Sequence, residues 1–70
     1  MINSLVITFK NSSEPKKFVD KDLEHLLSLY ESIKSALAVH KEYIEILYNN
    51  AMHLIVLNNV SYVTVTKEVE

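Results

Sequence analysis

Residues 43–66, YIEILYNNAMHLIVLNNVSYVTVT, decide how this chain folds. Two Asn-Asn pairs, at 49–50 and 58–59, each lie between apolar runs rich in β-branched and aromatic side chains. Asparagine tolerates the left-handed backbone conformation that two-residue hairpin turns demand. It is the best substitute in a chain that has no glycine at all. The stretch therefore predicts a three-stranded meander: Tyr43–Tyr48, Ala51–Leu57 and Val60–Thr66. Two-residue turns then set the register. Tyr48 faces Ala51, Ile46 faces His53 and Ile44 faces Ile55; beyond the second turn, Leu57 faces Val60 and Ile55 faces Tyr62.

That register sorts the meander into two faces. Ile44, Ile46, Tyr48, His53, Ile55, Leu57, Val60, Tyr62 and Thr64 share one. Tyr43, Glu45, Leu47, Met52, Leu54, Val56, Ser61, Val63 and Val65 share the other. Both are largely apolar, and a single helix covers only one side of a sheet. The second side is expected to lie open unless a partner covers it. A competing reading exists for residues 39–48, whose Val39, Tyr43, Ile46 and Leu47 also fit helical spacing.

Upstream, residues 2–9 alternate with period two, setting Leu5, Ile7 and Phe9 against Ser4, Val6, Thr8 and Lys10, as in a half-buried strand. Residues 10–17, KNSSEPKK, are polar, hold the only proline and read as a surface loop. A helix follows, with Asp20 as its expected N-cap and Asp22 and Glu24 favoured in its first turn. Val19, Leu23, Leu26, Tyr30, Ile33 and Leu37 recur at spacings of 4, 3, 4, 3 and 4, with Leu27 widening the stripe. Its end is expected between Ala38 and Lys41. The stripe reads as core against a sheet rather than as a coiled-coil seam, because strands flank it on both sides in sequence.

The expected fold is α+β, ordered β-α-β-β-β, with one amphipathic helix on a small, mostly antiparallel sheet. The first strand would join a meander strand through a right-handed crossover. The expected core is Leu5, Ile7, Phe9, Leu23, Leu26, Leu27, Tyr30, Ile33 and Leu37 with one meander face. Seventy residues form one domain, 1–70, too small to be more than marginally stable alone.

Composition excludes several chemistries. With no cysteine, disulfides and thiolate metal sites are ruled out. Without glycine there is no phosphate-cradling loop and no Gly-x-Ser-x-Gly elbow. All seven basic residues are lysine, so the bidentate arginine fork is missing. His25, His40 and His53 hold no metal-ligand spacing, and no cofactor or metal is expected. The chain reads as no enzyme. A net charge of −2 gives no general attraction to nucleic acid or anionic membrane. No apolar run reaches bilayer length, and the first residues do not pattern as a signal peptide. A cytoplasmic location is expected.

Charge is uneven, however. Asp20, Asp22, Glu24 and Glu31 oppose only Lys21 between positions 20 and 31, and Glu42, Glu45, Glu68 and Glu70 extend the acidic tally. Such a run reads first as a solvated helix face. The sharper reading makes Asp20, Asp22, Glu24 and Glu31 a partner-binding surface for a basic, DNA-binding protein. Lys10, Lys16 and Lys17 are the counterpart for a weak nucleic-acid binder. A structural subunit of a larger assembly is a third reading of the two apolar faces.

In its size, its lack of arginine and glycine, and its Asn-Asn-punctuated strands (ILYNNAMHLIVLNNVSYVTV), the chain resembles the very small host-takeover proteins of phages of low-GC Gram-positive bacteria. The resemblance implies a non-catalytic inhibitor, homodimeric on our reading of the faces. It would bind a host DNA-transaction or nucleoid protein in the host cytoplasm and cover its DNA-binding surface.

Overall fold

Asn49 and Asn50 both adopt positive φ, at 52° and 62°, and the hairpin expected around them forms. In the computed structural model, which describes residues 2–67, strand β3 (Tyr43–Tyr48) pairs with β4 (Ala51–Val56). Tyr48 faces Ala51, Ile46 faces His53 and Ile44 faces Ile55, as the turn length requires. The helical alternative for residues 39–48 does not occur; helix α1 spans Leu23–Ala38. Strands β1 (Asn3–Phe9), β2 (Lys16–Asp20) and β5 (Val60–Thr66) complete an α+β fold with two antiparallel sheets. The β-α-β-β-β order holds, with β2 added before the helix. Glu68 and Glu70 lie outside the described residues.

The second Asn-Asn pair behaves differently. Neither Asn58 nor Asn59 has positive φ, and residues Leu57–Asn59 form a 3-10 turn. The β3–β4 ladder runs one step further, through Leu57 N–H to the Glu42 carbonyl at 2.9 Å. The chain then turns, and Lys10 N–H donates to the Asn59 carbonyl at 2.7 Å. Strand β5 therefore leaves β4 and pairs with β1 in a three-stranded sheet ordered β2-β1-β5. The expected pairs Leu57–Val60 and Ile55–Tyr62 are replaced by Ile7–Val63 and Leu5–Val65. A register shift between Thr8 and Phe9 leaves Ser61 as an extra residue on β5. That bulge reverses the strand's parity. Val60, Val63 and Val65 turn inward, while Tyr62 and Thr64 face out. Strand β1 is antiparallel to both neighbours, so no crossover connection is needed.

Strand β2 overturns the expectation of a loop through residue 17. Only Phe18 in KKFVD is buried, too little apolar content to signal a strand. Its ring lies 1% exposed beside Leu5, its cross-strand partner. Pro15 precedes the strand, where the ladder does not need its missing N–H. Asn3, buried at the start of β1, donates from Nδ2 to the carbonyls of Asp20 and Lys21 at 3.3 and 3.2 Å. This tie fixes where β2 ends and the helix approach begins.

One cluster forms the core: Leu5, Ile7, Phe18, Leu26, Ile33, Ala36, Ile46, Ile55, Leu57 and Val60. Phe9, Tyr30, Leu29 and Ile44 pack against it. Of the expected core, Leu27 and Leu37 are instead exposed, because the helix meets the sheet along the narrower line of Leu26, Ile33 and Ala36. Val19, expected on the helix stripe, sits on β2.

The helix closes without glycine. His40 takes φ 58°, its N–H donates to the Leu37 carbonyl, and Lys41 N–H reaches back to Ala36 at 3.0 Å. This is the paired bonding of a Schellman cap, with histidine in the left-handed position that glycine fills at no steric cost. His40→Gly should raise unfolding stability by about 1 kcal/mol, measured by urea denaturation. Unchanged or lower stability would show that the imidazole contributes contacts that outweigh the strain.

Candidate functional site

The β3–β4 hairpin buries one face and leaves the other open. Ile44, Ile46, His53 and Ile55 turn toward the core. Tyr43, Leu47, Met52, Leu54 and Val56 turn out, 46–63% exposed. Cross-strand neighbours on that outer face are Tyr43 with Val56, Glu45 with Leu54 and Leu47 with Met52. The face is thus three rows of two, five of the six apolar, with Glu45 in the middle row. The meander faces read from sequence hold here, residue for residue. The three-stranded sheet has no such second face, since Ser4, Thr8, Lys17, Tyr62, Thr64 and Thr66 share its outer side with Val6 and Val19.

The hairpin is held in place through its first strand's end. The Tyr48 hydroxyl accepts from Val19 N–H at 2.8 Å and donates to the Val19 carbonyl. One side chain thereby occupies the free edge of β2 at Val19. The Tyr48 ring meets Phe18 edge-on at 4.8 Å, and His53 meets Phe18 likewise at 5.2 Å. Lys16 Nζ sits 5.6 Å from the Phe18 ring centroid, a cation–π contact. Sequence reading missed this cluster because Phe18 lay in a segment assigned partly to a loop.

The four acidic residues singled out from sequence do not form one group. Asp22, not Asp20, caps the helix, accepting Glu24 N–H at 3.1 Å. Asp20 ends β2; its Oδ1 accepts Asp22 N–H at 2.9 Å and its Oδ2 meets His25 Nδ1 at 2.6 Å. These contacts, the Asp22 amide first and the His25 ring next, lower the Asp20 carboxyl below its ordinary value near 3.8. Glu24 and Glu31 are exposed and seven residues apart, so they stand on one helix face two turns from each other. Glu31 borders an open groove shared with Ser28, Ser35, Val39 and Ile44. Two of the four carboxylates are therefore engaged in shaping the β2–α1 corner, and two are free on the helix surface.

The lysines are divided as well. Lys16 lies opposite Ile7 and Lys17 opposite Val6 in the β1–β2 ladder, so they point to opposite faces of the sheet. They do not make one basic patch with Lys10. A groove of about 290 Å³ between α1 and β5 is lined by Tyr30, Ile33, Lys34, Leu37, Tyr62 and Val63. Among the described residues, no three His, Asp or Glu side chains gather where they could hold a metal ion. No described helix is long and apolar enough to cross a membrane. Comparison with family models, curated proteins and solved structures finds no match to this chain.

Asp20 yields a pH prediction. Its carboxyl is depressed in the folded state, so the charged form stabilises the fold above the unfolded-state pKa. That contribution is lost as pH falls through the folded value, below about 3.8. Asp20→Asn should therefore lose less stability than the native chain between about pH 6 and pH 2. Thermal melts followed by circular dichroism measure the difference; parallel curves would count against a stabilising Asp20 anion.

Proposed function

We propose that this protein is a non-catalytic protein-binding module that works by covering a surface of its target. The observation that carries the reading is the open, apolar outer face of the β3–β4 hairpin. Scattered exposed apolar residues are ordinary on soluble proteins, whereas a contiguous block bordered by polar side chains marks an interaction site. Tyr43, Leu47, Met52, Leu54 and Val56 form such a block.

The target on this reading is a basic DNA-binding protein of a host cell, and the protein is an inhibitor of the phage host-takeover kind. The helix supports it. Glu24 and Glu31 stand exposed on one face, positioned to meet cations on a partner that otherwise contacts phosphates. Asp20 and Asp22 add negative charge at the same end of the helix while serving the corner. Binding there would deny the target its nucleic acid by occlusion, with no bond made or broken.

The test is capture from host lysate followed by a competition assay. The tagged chain should retain a basic DNA-binding protein, and the purified pair should lose DNA affinity in fluorescence anisotropy. Glu24→Lys with Glu31→Lys should weaken the pair at least tenfold, and more at low salt than at high. Asp22 is left intact in this variant, because removing an N-cap costs about 1 kcal/mol of helix stability by itself. Undiminished affinity after double reversal would reject the acidic helix as the contact, and a captured protein whose DNA binding is unaffected would reject inhibition by occlusion.

A further inference from the structure

We infer that the outer face of the β3–β4 hairpin is covered by a second copy of this chain, giving a two-fold dimer of hairpins packed face to face. The inference rests on reading that face as a protein-binding surface, and it names the occupant. Area is the first argument. At 46–63% exposure, the five large apolar side chains present on the order of 500 Å² per chain. Two copies would bury about 1,000 Å², the least that a specific interface needs. The face is only two strands wide, so a second copy of it can pack against it at ordinary sheet-to-sheet spacing.

Glu45 selects the arrangement. It occupies the middle row opposite Leu54. A two-fold axis running across the strands would stack Glu45 on its own symmetry copy and set two like charges side by side at one rim. An axis running along the strands places β3 over the partner's β4 instead. Glu45 then lies against the partner's Leu54, and Tyr43 against the partner's Val56. Because the hairpin is two strands wide, each Glu45 is at the rim in this arrangement. Its methylenes cover leucine while its carboxylate reaches water, which avoids the cost of a buried unpaired charge. Rows at either end then meet as apolar on apolar. Glu45 thus sets the register of the dimer at some expense in affinity, the role a single polar residue plays in a coiled-coil seam.

Sedimentation equilibrium of the native chain, Leu54→Lys, Leu47→Lys and Glu45→Gln tests this, with thermal melts confirming that each variant folds. The altered side chains are exposed in the single chain, so folding should survive. The native chain should be a dimer with a dissociation constant in the micromolar range, as befits an interface near the lower size limit. Either lysine variant should be monomeric, and Glu45→Gln should dimerise about tenfold more tightly. A native monomer at about 100 μM, or a dimer indifferent to both lysines, overturns the inference. Repeating the lysate capture with Leu54→Lys separates this failure from failure of the broader reading. If the native chain is monomeric but Leu54→Lys loses the captured protein, the face serves that target and only the dimer falls. If neither self-association nor capture occurs, both readings fall.

Discussion

Phe18 is the side chain on which the two sheets depend. It enters the core from β2, lies across from Leu5 in the three-stranded sheet, and receives the edges of Tyr48 and His53 from the hairpin. Among the described residues, no backbone ladder joins the two sheets. Their relative placement rests on side-chain packing, on the helix that touches both, and on the Tyr48 hydroxyl gripping the Val19 backbone. Burying a phenyl ring contributes about 1.5–3 kcal/mol, and edge-on aromatic pairs add about 0.5–1.5 kcal/mol. In a chain of 70 residues that is a large share of a total stability of only several kcal/mol.

This constraint also decides what faces outward. Phe18 and Tyr48 hold the hairpin by its turn end and by its inner face, so Ile46 and Ile55 close the core. Among the described residues, nothing packs on the outer face. The helix cannot serve both sides, because it already lies along β1, β2, β3 and β5 on the inner side. A 3-10 turn at Leu57–Asn59 then sends β5 away to β1, removing the strand that would have widened the hairpin sheet. The open face is thus a consequence of topology, produced where the chain leaves one sheet for the other.

Elements with strong local signals were legible in the sequence. The hairpin at Asn49-Asn50 was, because positive φ at both positions is a local demand that asparagine meets. So were the helix, from its 4-3-4-3 spacing, and the alternation along β1. Strand β2 was not, because its one buried residue stands among two lysines and an aspartate, and only Leu5 and Tyr48, distant in sequence, make Phe18 a core residue. The fate of Asn58-Asn59 was not legible either. The same dipeptide serves a 3-10 turn or a hairpin according to what β5 pairs with, and here β5 pairs with β1 with Ser61 bulged out. For the candidate site the division is similar. The apolar outer row was readable from period two alone, whereas the local duties of Asp20 and Asp22 required knowing that β2 ends where the helix begins.

The contrast between the two sheets bears on what the open face is for. On the outer side of the three-stranded sheet, hydroxyl-bearing Ser4, Thr8, Tyr62, Thr64 and Thr66 predominate. On the outer side of the hairpin, five of six positions are large and apolar. The same chain, with the same composition, thus solvates one sheet and leaves the other dry-faced. Strand propensity does not account for the difference, because threonine and tyrosine serve a solvated strand as well as leucine and methionine do. Leu47, Met52 and Leu54 are weaker strand formers than the threonines of β5, so local structure gains nothing from them where they stand. Their side chains make sense as contact surface, and Glu45 among them makes sense as the residue that limits which surface they accept.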